Sequence, residues 1–485
     1  MDYETVIGLE VHAQLLTESK MFCTCSADYA STEPNTHVCP VCLGMPGVLP
    51  VINSKALEYT AMTALALNCT IPEYTKFDRK NYPYPDLMKG YQISQYDEPV
   101  GVGGWLDIEA YGQKRRAAIT RVHLEEDTAR LTHRSPTRGE SYSLVDVNRA
   151  GVPLMEIVGE PDLRSPEEAR QYLIKLRAIL QFLGVSTGNM EEGSFRCDAN
   201  ISIRPVGGEY SVKVEIKNMN SFKAVYRALQ YEEQRQRRAV DAGERLVQET
   251  RGWVEDKGIT VSQRSKEYAH DYRYFPEPDL PPMVFERDWV EEIRGRLPEL
   301  PEARRGRFMA DYGLTDYDAG LLTLSKATAD YFEACLDLLE ESKRMGLAKA
   351  VSNWMLGEFT RLLNATDTEI QASEVKPDLM VELIKMVDSG KISVPTAKSV
   401  FEEMFSSGKS AVEVVNDQGL TQISDAGEIG NAVDKVIAAN GKAVADYRQG
   451  KEQALQFLVG QVMRETRGRA NHAVVTELLK ERLGE

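Results

Sequence analysis

The chain has 485 residues, more than one hydrophobic core ordinarily supports, and its 42% hydrophobic content is ample for two or three domains. A net charge of -16 excludes a protein that wraps nucleic acid with its whole surface, so contact with an RNA backbone has to come from a local basic patch. Met1-Asp-Tyr-Glu4 carries no basic segment or apolar leader, and no apolar run approaches the roughly 18 residues of a membrane span, so a cytoplasmic protein is expected.

In chain order, residues 5–15 alternate as a half-buried strand does, with Glu10, His12 and Gln14 opposing Leu9, Val11 and Ala13. Cys23-Thr-Cys25 and Cys39-Pro-Val-Cys42 follow, spaced so that four thiolates can surround one zinc ion. Pro40 and Gly44 suit the tight turn, and His37 is an alternative ligand. Four cysteines close the coordination shell, so such a zinc is structural. Cys69, Cys197 and Cys335 stand singly and are expected as small buried hydrophobes.

Residues 77–86, Phe-Asp-Arg-Lys-Asn-Tyr-Pro-Tyr-Pro-Asp, are expected to form a rigid loop, because their prolines exclude a central strand. Its functional reading is a wall of a site, with Lys80 and Lys89 near acidic groups; its bland reading is a packed surface loop. Gly101-Val-Gly103-Gly104 reads as a hairpin turn, since no helix pattern follows it. Residues 121–130, Arg-Val-His-Leu-Glu-Glu-Asp-Thr-Ala-Arg, would place Ile119, Arg121, His123 and Glu125 on one face and Thr120, Val122 and Leu124 on the other. Residues 145–148 (Asp146, Asn148), 198–204 (Asp198, Asn200, Ser202, Arg204) and 212–217 (Lys213, Glu215, Lys217) repeat the split. A solvated face is the ordinary explanation, but recurring Glu, His, Asp and Asn are the ligands of a hard cation. The expectation is one sheet with an acidic, metal-binding face.

Ser165-Pro166-Glu-Glu168 starts a helix that Gly184 closes, and a second helix is predicted over 222–240, with Arg235, Arg237 and Arg238 on a solvated face. Strands between such helices make the N-terminal part α+β, with a mainly antiparallel sheet. After Asp271-Tyr-Arg-Tyr-Phe-Pro-Glu-Pro-Asp279 and a linker at 297–301 the spacing turns helical, with helices predicted over 327–345, 351–363 and 377–387. Ser406-Ser-Gly408-Lys409-Ser410 lacks the first P-loop glycine, Glu403 standing there, and reads as an interdomain turn. In the helical tail Arg448, Lys451, Arg464, Arg467 and Arg469 form a candidate phosphate-contacting patch. The resulting organisation is a cradle domain at 1–296, a helical domain at 297–407 and a helical tail domain at 408–485.

Ile7-Gly-Leu-Glu10-Val-His12, Phe77-Asp-Arg-Lys80-Asn-Tyr, His123-Leu-Glu125-Glu126-Asp127, residues 191–200 (Glu-Glu-Gly-Ser-Phe-Arg-Cys-Asp-Ala-Asn), residues 271–279 and Phe457-Leu-Val-Gly-Gln-Val-Met463 together resemble the B-subunit family of tRNA-dependent amidotransferases. The resemblance spans nearly the whole chain, in order. It implies ATP-dependent phosphorylation of the side-chain carboxylate of Glu-tRNA(Gln) or Asp-tRNA(Asn), followed by displacement of phosphate by ammonia. It also implies Glu10, His12, Glu125 and Glu215 as magnesium ligands, with Asp198 beside a second ion. Lys80, Lys89 and Asp279 resemble the lining of an ammonia channel, and the tail would hold tRNA. The sequence carries no amidase or glutaminase signature of its own, so the ammonia implies a partner glutaminase, the A-subunit of such enzymes, joined by their small C-subunit. No large synthetase-like insertion is present, which favours the three-subunit type; Asn471-His472 departs from the Asn-Pro of the family's tail. The rival readings are a noncatalytic zinc-containing tRNA-binding scaffold and a free-standing ligase using dissolved ammonium.

Overall fold

A computed structural model of the chain describes residues 2–135, 140–209, 211–265, 272–420, 426–448, 451–466, 470 and 472–484. These fall into two compact units, Met1–Pro301 and Glu302–Glu485. The first is mainly sheet and the second helical, the α+β organisation expected from the sequence.

Eight strands form the main sheet of the first unit: β1 (Tyr3–Gln14), β2 (Gly101–Ala110), β3 (Gln113–Glu126), β4 (Pro153–Gly159), β5 (Phe195–Pro205), β6 (Val214–Lys217), β7 (Glu249–Val254) and β8 (Ile259–Ser265). Their order is β8-β7-β6-β5-β1-β4-β3-β2, and only β6 and β7 run parallel. One face is apolar: Leu9, Val11, Val122, Leu124, Met155, Ile157, Ala199 and Ile201 join one core with helices α1 (Ser54–Ala66), α2 (Pro166–Leu183) and α3 (Phe222–Asp241). An isolated helix of this length is marginal in water, so burial of Leu173, Leu176 and Leu180, about 2 kcal/mol each, is what holds α2 in place. Its ends match the prediction. The Ser165 hydroxyl accepts the Glu168 N–H at 3.2 Å and Gly184 is left-handed at φ 69°.

Several expectations change. A β-bulge between Ile119 and Arg121 reverses the phase of β3, so Ile119 lies in the core with Val122 and Leu124 while Thr120 is exposed. Gly101–Gly104 is strand, and the turn falls at Tyr111-Gly112. Glycine is required there by close approach, since a Cβ at Gly101 would stand 2.6 Å from Ala64 Cβ and one at Gly104 would stand 2.5 Å from the Leu67 carbonyl. Asp78–Asn81 is a strand after all, the middle one of a small sheet with Tyr91–Ser94 and Phe275–Pro276, because Pro83 and Pro85 lie just beyond its end. Residues 145–148 do not join the main sheet: Tyr142–Asp146 pairs with Arg130–Arg134. Arg235 and Arg237 are half-buried: Arg237 donates to the Tyr3 carbonyl at 3.1 Å and to Thr5 at 3.2 Å on β1, while β8 reaches the Arg235 side, where fully buried Glu232 accepts from Arg235 at 2.6 Å, Gln236 at 3.0 Å and Thr260 at 2.9 Å. Of the predicted solvated arginines, Arg238 alone is exposed.

In the second unit the helix predicted over 327–345 is two helices, Lys326–Asp337 and Glu341–Trp354, because the chain turns extended at Glu340 (ψ 138°), where no Gly or Pro marks the break. A π-helical stretch, Met355–Phe359, carries the latter into Thr360–Thr366, and Pro377–Asp388 forms as expected. Gly408 joins two packed helices rather than two domains: Ala411–Gln418 lies on Pro377–Asp388 and Val394–Ser407, and the Val412 N–H donates to Glu382 at 3.3 Å. Four further helices, Ala426–Ala439, Gly441–Arg448, Glu452–Glu465 and His472–Leu483, share a core that includes Ile429, Val433, Leu458, Val462, Val475 and Leu479.

Thr315 caps the short helix Asp316–Leu322 and donates to the Asp318 carboxylate at 2.6 Å, which also pairs with Lys349. The Lys349 bond first, and the Thr315 bond second, hold the Asp318 carboxyl below its ordinary pKa. A depressed carboxyl contributes stability above its unfolded value of about 4, and that stability disappears as pH falls through the folded value. Asp318→Asn is therefore expected to cost about 1 kcal/mol at neutral pH and progressively less as pH falls below about 4, read from urea midpoints across that range.

Candidate active site

Strands β1, β4 and β3 are neighbours, and their registers set His12 opposite Glu156 and Glu156 opposite His123. On the face away from the helices this makes a row across three strands in which a carboxylate sits between two imidazoles. His12 Nε2 lies 3.4 Å from Glu156 and 3.7 Å from Glu125, and His123 Nε2 lies 3.2 Å from Glu156. Burial opposes the charged form of His12, but Glu156 and Glu125 outweigh it and raise its pKa to about 9. Burial likewise opposes ionisation of Glu156, yet His123 and His12 hold it well below the ordinary range.

The acidic row continues on the other side of β1. Glu10 faces Asp198 on β5, Asn200 donates to Glu10 at 3.0 Å, and Glu215 on β6 stands opposite Asn200. Lys217 pairs with Asp198 and, at 3.2 Å, with Glu215, which also accepts from Thr250 at 2.8 Å. Burial, then repulsion from Glu156, Asp198 and Glu215, pushes the Glu10 carboxyl up. Lys80 reaches the row from the small sheet. Despite a burial penalty, Glu125, Tyr274 and Glu156 raise its pKa, and its ammonium lies 5.0 Å from the Tyr272 ring. One atom each of His12, Glu125 and Glu156 lie within 4.8 Å of one another, a separation that one divalent cation can bridge.

The four clustered cysteines also converge, with sulfurs all within 4.8 Å of one another. The Cys39 N–H donates to Cys42 Sγ at 3.0 Å. A hydrogen bond from Cys23, opposed by burial and aided by the Cys39 N–H and the Lys20 charge, draws the Cys42 thiol down toward thiolate. His37 is outside this set; its N–H donates to Asn148 at 2.8 Å.

The family described as GatB/GatE catalytic domain matches residues 5–291, and the GatB domain matches residues 330–483. The chain is 59% identical to the B-subunit of the aspartyl/glutamyl-tRNA(Asn/Gln) amidotransferase of Dehalococcoides mccartyi strain CBDB1, over 100% of the chain and 99% of that protein. It is 57% identical to the corresponding protein of Carboxydothermus hydrogenoformans, over 99% of both, and 59% identical to that of Thermomicrobium roseum, over 100% and 99%. The chain belongs to the GatB family.

Of the GatB residues singled out from sequence, His12 and Glu125 meet directly, Glu10 and Asp198 face each other, and Glu215 stands one strand further out. Lys89 is bound to Glu126 at 2.5 and 2.7 Å, and exposed Asp279 pairs with Arg79 at 3.2 Å. Arg448, Lys451 and Arg464 are exposed, Lys451 pairing with Asp446 at 2.8 Å; Arg467, Arg469 and Asp271 lie outside the described residues. Sequence reasoning misses Glu156 and assigns His123 no role of its own. The signal for Glu156 is a single charge inside the otherwise apolar Pro153-Leu-Met-Glu-Ile-Val158.

Buried Glu126 also accepts the Ile93 N–H at 3.0 Å. Glu126→Ala strands the Lys89 ammonium and is expected to cost about 3 kcal/mol in chemical denaturation, well above a surface ion pair.

Proposed function

We propose that this chain activates the side-chain carboxylate of a misacylated tRNA, Glu-tRNA(Gln) or Asp-tRNA(Asn), for amidation. A carboxylate is a poor acyl electrophile and needs a leaving group. In the reading favoured here a carboxylate oxygen attacks the γ-phosphorus of ATP, the P–O bond to ADP breaks, and ammonia then forms the C–N bond as inorganic phosphate departs. The observation that carries this reading is the convergence of His12, Glu125 and Glu156 beneath the Lys80 ammonium. Glu10, His12, Glu125 and Glu215 would hold magnesium, with Asp198 beside a second ion and Glu156 joining the set; the oxygen and imidazole donors of these buried and half-buried side chains fit a hard cation. Bound magnesium supplies charge neutralisation of the phosphates.

Around it the chain's own residues orient and hold charge. His12, once deprotonated, offers Nε2 as a ligand, and His123 keeps Glu156 ionised. Lys80 attracts the anionic substrate group. Lys80, Lys89 and Asp279 would line the route of ammonia from a glutaminase A-subunit, with a small C-subunit completing the complex. Hydrogen-bonding walls can pass ammonia along while bulk water stays out. Arg448, Lys451 and Arg464, together with Arg467 and Arg469, would contact tRNA phosphates.

The test is ADP release by the assembled complex given magnesium ATP, with and without misacylated tRNA. ADP is expected only with misacylated tRNA, and Glu125→Gln is expected to lower that rate about 100-fold or more while tRNA binding persists. Tight tRNA binding without tRNA-dependent ADP would favour a noncatalytic scaffold.

The convergent sulfurs of Cys23, Cys25, Cys39 and Cys42 fit zinc, whose binding would stabilise the fold directly. The expected result is one equivalent of zinc by elemental mass spectrometry, lost in Cys39→Ser together with about 5 °C or more of thermal midpoint. A zinc-free protein recovered from zinc-supplemented cells would overturn this assignment.

A further inference from the structure

Lys20 is 1% exposed, the only buried lysine among the described residues. Its ammonium donates to the His37 carbonyl at 2.8 Å and the Val147 carbonyl at 3.3 Å, and no carboxylate among the described residues pairs with it. Two neutral carbonyls are poor company for a buried charge, which ordinarily demands a counter-ion.

The cysteine centre is next to it on both sides. The Lys20 N–H donates to the Cys25 carbonyl at 2.9 Å, while its ammonium holds His37, two residues before Cys39. Lys20 and Cys42 also pack against the same spot on Gly151, where an added Cβ would stand 3.5 Å from Lys20 Cδ and 3.9 Å from Cys42 Cβ. Gly151, at φ 85°, leaves that space open. Four thiolates overcompensate a dication, so a loaded centre carries excess negative charge in a half-buried place.

We propose that the Lys20 ammonium is the counter-charge of the cysteine centre, a positioning residue that offsets its excess negative charge and braces the two cysteine pairs against each other. The proposal rests on the reading that the four cysteines hold zinc. Lys20 then acts as groups beyond the ligands do in metal sites, tuning affinity without touching the ion.

The experiment is zinc affinity of the full-length chain by chelator competition, for wild type, Lys20→Met, Lys20→Gln and Asn148→Ala. Asn148 holds the same loop through the His37 N–H at 2.8 Å and the Glu33 carbonyl at 2.7 Å, so its removal loosens the loop and leaves the charge. The Lys20 variants are expected to bind zinc at least about tenfold more weakly, and Asn148→Ala less than about threefold more weakly. Lys20→Gln keeps a hydrogen-bond donor and serves if Lys20→Met does not fold. Wild-type affinity in Lys20→Gln, or an equal loss in Asn148→Ala, would overturn the counter-charge role. A wild-type chain that binds no zinc would overturn the zinc reading, and this proposal with it.

Discussion

Carboxylates drawn out of bulk water onto one face of a sheet repel one another unless cations are interleaved with them, and the strand registers of the first unit do the interleaving. Across β1, β4 and β3 the Glu156 carboxylate sits between the imidazoles of His12 and His123. Toward β6, Lys217 stands between Asp198 and Glu215, and Lys80 comes in over Glu125. Glu10 is compensated least, with an amide from Asn200 and several carboxylates nearby, and burial together with those carboxylates pushes its carboxyl up. Removing one cation from such a row costs several kcal/mol because it leaves a charge buried and unpaired. His12 is the adjustable member: protonated it balances Glu156 and Glu125, and deprotonated it offers a lone pair in the same place.

That balance explains which residues could be read from sequence. Glu10, His12, Asp198 and Glu215 lie on strands whose helix-facing side is buried and whose other side is half open, so period-two alternation is visible in the amino acids. Strand β4 is covered on both faces, with Leu154 buried as well as Met155, so the alternation vanishes and Glu156 hides in an apolar run. The bulge before Arg121 is invisible for a different reason: Thr120 fits a regular strand as well as a bulged one, and only pairing with β4 selects between them.

Helix ends were more legible than helix faces. Ser165 and Gly184 act on their own backbone neighbours, so local sequence suffices to place them. Whether Arg235 is solvated depends on β8, whose residues lie well along the chain from α3, and the arginine content of the helix carries no record of that cover. The same holds for Gly408, a turn whose neighbours pack together rather than apart.

The cysteine centre and the acidic face are bound into one framework by residues 147–152. Val147 accepts from Lys20, Asn148 holds the loop before Cys39, and Arg149 donates to the Thr128 and Ala129 carbonyls at 2.9 and 3.0 Å. Gly151 and Val152 then exchange backbone hydrogen bonds with Asp127 at 2.9 and 2.8 Å, directly after the end of β3. The Asp127 carboxylate in turn binds Arg196 on β5 and, at 2.7 Å, Gln14 on β1. Displacing the cysteine loops would therefore move the segment that fixes Asp127, and Asp127 is two residues from Glu125. A cysteine cluster can thereby bear on chemistry in which it takes no part, because a shift of about 1 Å in a site side chain is enough to weaken a preorganised site.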